Sequence, residues 1–176
     1  MACTSAILSG LTLDCETSKG GIQKVWIANF DQTVADTVAA AAASTSGDSI
    51  AYTAITASSV TWYAYEFKRG TGSMTSTLNV DDANGVNYVS TDLILQFGRM
   101  EARKRAEMKA LSLNETMALV KDMNGKVWFL GYSAPVVASA GTGQTGQAIT
   151  DGNFYQITLQ ANDDSYPVEV TGGTPA

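Results

Sequence analysis

Two alternating runs joined by an Asn-Gly turn constrain this chain more than any other feature. From Ser73 onward, Met74, Leu78 and Val80 alternate with hydroxyl or amide residues, and Ser76 takes the one polar place in the apolar series. Asp81-Asp82-Ala83-Asn84-Gly85 follows, and Asn-Gly supplies the positive φ angles that a tight hairpin turn demands. Val86 and Tyr88, then Thr91, Leu93, Leu95 and Phe97, make the return run. Alternation of this kind marks a strand with one buried face. Residues 73–97 are therefore expected to form a hairpin with arms of about 8–12 residues, longer than the usual strand of about 5–6. Such arms project beyond their own core or join a neighbour's sheet. The apolar parity changes between Val89 and Asp92, which predicts a bulge or a change of face.

The remaining segments agree with an antiparallel architecture. Val25 to Phe30, after Gly20-Gly21, reads as a first strand, and Val60 to Phe67 is strand-like through its β-branched and aromatic residues. Between them, residues 33–59 are rich in Ala, Ser, Thr and Gly and are expected to be a low-complexity surface loop with one helical turn at most. Residues 99–113 carry strong helix formers and predict the single helix. Its Met100, Met108 and Leu111 share a stripe with Phe97 and Lys104, while Ala102, Ala106, Ala110 and Leu113 fall opposite, so something is expected to pack on both sides. Met117–Lys121 and Lys126–Tyr132 flank a second Asn-Gly turn, Phe154–Leu159 reads as a closing strand, and residues 167–170 add a short edge. About seven strands and one helix, without β-α alternation, give a mainly β class: an antiparallel sandwich or barrel in one domain spanning residues 1–176.

Composition removes much chemistry. There is no histidine among 176 residues, so His-dependent triads, His-ligated zinc or haem and imidazole switches are excluded. Cys3 and Cys15 are too few for a disulfide scaffold and are read as free thiols. No stretch reaches the roughly 18 apolar residues that span a bilayer, and the N-terminus lacks the pattern of a signal peptide. Ala, Thr, Gly and Ser fill 75 of the 176 positions, only 16% of residues are charged, and the net charge is −6. That balance argues against gripping nucleic acid through its phosphates.

Individual motifs add little. Gly141-Thr-Gly143-Gln-Thr-Gly146 spells a dinucleotide fingerprint but precedes a strand rather than a helix, and Gln147 and Ala148 stand where a phosphate loop needs Lys and Ser/Thr. It is read as a flexible loop. The pairs Asp81-Asp82 and Asp163-Asp164 are expected to be solvated turn residues, since adjacent residues in a turn point apart, and no spaced acidic loop for calcium accompanies them. Arg99, Arg103, Lys104, Arg105 and Lys109 hold 5 of the 11 cations, without interleaved aromatics, so an intersubunit helix face opposite acidic residues such as Asp81-Asp82 is favoured over a nucleic-acid platform. No enzyme signature and no cofactor or metal site is expected.

The strings Gly-Gly-Ile-Gln-Lys-Val-Trp-Ile-Ala-Asn near the N-terminus, Tyr65-Glu-Phe-Lys-Arg-Gly-Thr-Gly-Ser-Met-Thr-Ser-Thr-Leu78, Arg103-Lys-Arg105, Leu119-Val-Lys-Asp-Met-Asn-Gly-Lys-Val-Trp-Phe-Leu-Gly131 and Gly143-Gln-Thr-Gly-Gln-Ala148 occur in this order. Over roughly residues 20–160 the chain resembles small structural proteins of tailed phages infecting gut Bacteroidales, including crAss-like phages. The resemblance implies the fold of tail-tube and ring proteins: a β-sandwich with a flanking helix, whose long hairpin helps complete an inner barrel. It further implies a homo-oligomeric ring in the virion tail, usually a hexamer, or a dodecamer nearer the portal. Its partners are neighbouring tail or connector proteins, with DNA only as passing cargo and no membrane. An acidic or neutral wall suits such a conduit, because a basic wall would hold the phosphates. The expected subunit contacts are Met74, Leu78, Leu93 and Leu95 in the hairpin and Arg103 and Lys104 on the helix. Two rival readings compete: a monomeric sandwich that binds glycans through Trp26, Trp62 or Trp128, and a hydrolase using Asp81, Asp82 or Asp163.

Overall fold

The strands fall into two sheets that differ in how their faces are buried. In a computed structural model, which describes residues 17–43, 49–56 and 60–175, β1 (Ile22–Asn29) is followed by α1 (Gln32–Ala42), β2 (Ile50–Ala51), α2 (Tyr52–Ile55) and β3 (Tyr63–Tyr65). The long hairpin is β4 (Ser73–Asp81) and β5 (Val86–Gly98), and α3 (Ala102–Leu113) leads into β6 (Thr116–Asp122) and β7 (Val127–Leu130). β8 (Val137–Gln144), β9 (Phe154–Asp163) and β10 (Val168–Thr171) complete the order. One sheet has six strands in the order β2-β10-β7-β6-β1-β3, and the other has four in the order β4-β5-β9-β8. The protein is mainly β and sandwich-like, and its sheets do not close into a barrel.

The six-stranded sheet is covered on both faces, which explains its unbroken apolar runs. Val25, Ile27, Ala118, Val120 and Leu130 point into a core shared with Leu93, Leu95, Ile157 and Leu159 of the four-stranded sheet. Their neighbours Trp26, Ala28, Met117, Leu119 and Phe129 point the other way, into a second core closed by Val34 and Val38 of α1 and by Ile55. The four-stranded sheet has only one such face. Along β5, Val89, Thr91, Leu93, Leu95 and Phe97 are buried and alternate with half-buried residues. Burying a side chain like Leu93 or Leu95, each fully enclosed, stabilises the fold by about 1.5–3 kcal/mol.

The hairpin is as expected, and its parity change proves to be a change of face. β4 and β5 pair without a break from Ser73↔Ile94 to Asp81↔Val86. Val86 and Tyr88 lie on the outer face, whereas Val89, Leu93, Leu95 and Phe97 lie on the core face and Ile94 alone of the later apolar residues faces outward.

Five expectations are corrected. Residues 32–42 form α1 rather than a loop: the Asp31 side chain caps it by accepting from the Val34 N–H at 3.1 Å, and Val34, Ala35 and Val38 dock on the sheet. Capping and docking supply what five alanines cannot supply alone; residues 44–48 and 57–59 of the expected loop lie outside the described residues. The strand expected at residues 60–67 shrinks to three residues at a sheet edge. The helix begins at Ala102 rather than residue 99. Arg99 adopts φ 60° there while its N–H donates to the Asn153 carbonyl at 2.8 Å. Gly141 and Gly143 belong to β8, not to a flexible loop. A Cβ on Gly143 would come within 2.8 Å of the Tyr155 ring, so the cross-strand aromatic requires glycine. The described residues thus hold ten strands and three helices, where about seven and one are read from the sequence.

Candidate assembly surfaces

Among the described residues, the four-stranded sheet has one uncovered face and two edges without a partner strand. By register, its outer face presents Thr75, Asp92 and Gln160 in one row and Thr77, Ser90 and Asn162 in the next. Gln96, Gln156 and Thr142 make a third row. Gln160 Nε2 donates to Ser90 Oγ at 3.1 Å and to Asp92 Oδ1 at 3.0 Å, tying the centre of this face together. β4, β5, β8 and β9 contain no Lys or Arg, so the strands give the face no cation; Ile94, Val137 and Phe154 share it with the hydroxyls, amides and carboxylate.

β4 and β8 end the sheet, each paired on one side only. An exposed edge offers unpaired N–H and C=O groups, and proteins usually blunt it with Pro, Lys or a bulge. β4 runs nine residues with none of these. β8 has a single irregularity, between Ala138 and Ala140. Because each neighbouring pair in the order β4-β5-β9-β8 is antiparallel, β4 of a second copy laid beside β8 would continue the same alternation.

Beyond the sandwich, the end of the hairpin exposes apolar side chains on both faces: Leu78 at 48%, Val80 at 57%, Val86 at 39% and Tyr88 at 37%. The turn is held by Asp81, whose carboxylate accepts from the Ala83 N–H at 3.0 Å and from Asn84 Nδ2 at 2.6 Å. The hydrogen bond from the Asn84 side chain, more than any other contact, keeps this carboxyl below its ordinary range.

The expected contact residues divide. Leu78 is half exposed at the tip and Arg103 is exposed on α3. Met74 is half-buried against the core. Lys104 is half-buried, its ammonium donating to the Gly98 carbonyl as well as lying 3.7 Å from Glu101. Leu93 and Leu95 are corrected: both are fully buried between the sheets, so they have no surface to offer a neighbour. The two-sided reading of α3 is half realised. Met108 and Leu111 face the core, while Ala102, Ala106 and Ala110 are exposed and Leu113 is 73% exposed with nothing from the described chain upon it.

Asp163 is not the solvated turn residue that its position beside Asp164 suggests. It is 2% exposed at the core-facing end of β9, and its carboxylate accepts from the Gly131 N–H at 3.0 Å and the Ser133 N–H at 2.8 Å. Burial raises its pKa above the ordinary value even though these N–H donors pull it down. The carboxylate pins the crossover from β7 in one sheet to β8 in the other. The signal was available: Asp163 continues the inward parity of Ile157, Leu159 and Ala161.

The tryptophans offer no open stacking platform. Trp26 is 2% exposed, Trp62 packs edge-on to Phe129 with ring centroids 6.2 Å apart, and Trp128 is half-buried with its indole N–H donating to Asp122 at 3.3 Å. Among the described residues no three Cys, Asp or Glu side chains gather as a metal cluster, and no helix is long and apolar enough to cross a membrane. No family model, curated protein or solved structure matches this chain.

Proposed function

We propose that this chain is a virion structural protein that closes side by side into rings, stacked as the tail tube or a connector conduit through which DNA passes. One observation carries the reading. The four-stranded sheet has two open edges whose strand directions allow endless antiparallel closure, and its outer face bears no cation. An unblunted edge is a template for another chain, and a wall without cations lets phosphates slide by without holding them.

The arithmetic suits a conduit. Six copies of a four-stranded sheet make a 24-stranded barrel. With strands about 4.8 Å apart and tilted about 40°, its backbone diameter is about 48 Å. Side chains reaching inward by about 5 Å leave a bore of about 38 Å, wide enough for duplex DNA. A sixfold ring is favoured, with twelvefold closure the form expected beside a portal. Its partners are other copies of itself and the tail or connector proteins above and below, and its place is the virion tail.

The test combines mass and charge. Light scattering of the purified protein is expected to give a ring mass of about 111 kDa, six times the 18.5 kDa chain. Assembled wild-type rings should not retain DNA on a filter, whereas Thr75→Lys/Thr77→Lys rings should do so in a salt-dependent way. Each phosphate neutralised contributes about −0.9 to the slope of log K against log salt. A protein that stays monomeric at every concentration, or a lysine-lined ring that ignores DNA, would sink the reading.

A further inference from the structure

We infer that the groove between α3 and β8 seats β4 of a second copy, whose Leu78 and Val80 side chains fill it, so that the sandwich core continues from one copy into the next. This deepens the ring reading by naming the side-chain contact behind the strand edge, and it rests on that reading for the pairing of β4 with β8.

The groove has a volume of about 380 Å³. α3 lies on the core side of β8, with Met108 and Leu111 packed against the core between the sheets. By register, the core-side residues of β8 are Ala138, Gly141 and Gly143, opposite Leu159, Ile157 and Tyr155. None carries more than a methyl group, which leaves the groove between them and Met108 and Ser112 of α3. Gly141, Gly143 and Ser112 are exposed, and Met108 and Ala138 are half-buried. In a single copy this end of the core is unfinished.

β4 has the matching surplus. Its core-side residues are Met74, Ser76, Leu78 and Val80, in register with Leu93, Thr91, Val89 and Asn87. Met74 packs on the core of its own copy, whereas Leu78 is 48% and Val80 57% exposed. Two aliphatic side chains thus stand on the core side of an edge strand, outside the core clusters of their own copy.

The stagger of the strands selects β4 as the occupant. The middle of β4, Thr77, is level with Ser90 of β5. Near the middle of β8, Gly141 is level, through Ile157, with Leu95. β8 is therefore displaced from β4 by five residues along β5, which is about 16 Å at about 3.3 Å per residue. In the ring, four strands about 4.8 Å apart at a tilt of about 40° also shift the register by about 16 Å per copy. The offset within one copy matches in size the step between copies, so β4 of the next copy can lie abreast of β8 rather than past its end. Side chains alternate along a strand. The neighbour's Leu78 then falls beside Ala138 or Gly141, on the side of α3, while its Thr77 points into the channel.

Cross-linking that distinguishes the two faces of β4 tests this. In a Cys3→Ser/Cys15→Ser background, Leu78→Cys and Ser112→Cys are made on separate proteins, mixed and treated with a short flexible bismaleimide. Thr77→Cys with Ser112→Cys is the control, because Thr77 lies on the opposite face of the same strand. The expected yield of mixed dimer is about tenfold or more above that control, as side-chain alternation demands. A yield no greater than the control overturns the inference. A further pair, Thr77→Cys with Thr142→Cys, lies on the channel face and reports the β4–β8 edge whether or not the groove is filled. Thr77, Leu78, Ser112 and Thr142 are all exposed, so the fold should tolerate each change. If the channel-face pair cross-links and Leu78→Cys with Ser112→Cys does not, the ring reading stands and the docking is removed. If neither pair cross-links, both are removed. If only Leu78→Cys with Ser112→Cys cross-links, the docking stands and the continuous barrel is removed.

Discussion

Leu78 and Leu93 lie four strand positions and one turn apart, face the same side of one hairpin, and should behave oppositely when truncated. Leu93 is fully buried between the sheets and sits in register with Met74 and Leu159. Leu93→Ala leaves a cavity there, and buried Leu→Ala changes cost about 2–5 kcal/mol. For a chain of this size about 1 kcal/mol moves Tm by about 2–4 °C, so a mid-range loss of about 3 kcal/mol lowers Tm by about 6–12 °C. Leu78 is 48% exposed beyond the core. About half of its burial exists in the isolated chain, so Leu78→Ala should cost about 1 kcal/mol and move Tm by no more than about 4 °C. Its effect should appear in association instead. Losing an apolar contact of about 1.4 kcal/mol weakens subunit affinity about tenfold. Circular dichroism melts at concentrations below assembly read the first quantity, and sedimentation velocity across a dilution series reads the second. If Leu78→Ala lowers Tm as far as Leu93→Ala, or leaves association unchanged, the division of this hairpin into a core half and a contact half is refuted.

Other outcomes follow from the same structure. Asp163 has a folded pKa above its ordinary value of 3.8, so its contribution is full below about pH 3.8 and is lost as pH rises through the folded value. The stability gap between wild type and Asp163→Asn, followed by urea unfolding, should therefore narrow from pH 4 upward; a constant or widening gap would contradict this. Gly143→Ala forces a methyl against the Tyr155 ring and should cost about 1–3 kcal/mol in chemical denaturation. Gly141→Ala, whose methyl would meet only the Gln156 carbonyl oxygen at 3.7 Å, should be milder. Asp31→Ala removes the α1 cap and should cost about 0.5–2 kcal/mol, visible as a lower urea midpoint at unchanged slope.

What the sequence made legible was whatever rests on local periodicity. The β4–β5 hairpin and the β6–β7 hairpin were readable because Asn84-Gly85 and Asn124-Gly125 set the turns and the flanking residues carry the pattern. The continuous apolar runs of β1 and β6 identified strands but not their two-sided burial, which depends on α1 arriving from elsewhere in the chain. α1 itself was hidden because alanine is equally at home on a buried or exposed face, leaving Val34 and Val38 as a faint stripe. The role of Leu93 and Leu95 was misread for a related reason: alternation tells which residues share a face, not whether the covering layer is the chain's own or a neighbour's. The burial of Asp163 is legible in the inward parity of Ile157, Leu159 and Ala161, but its role is not, because its partners Gly131 and Ser133 lie some thirty residues away.

Electron microscopy of the assembled protein tests the central claim most directly. The account predicts rings in which β4 of one copy lies antiparallel to β8 of the next, with the Thr75, Asp92 and Gln160 row lining an open channel. Rings joined through other edges, or with this face turned to the outside, would contradict it.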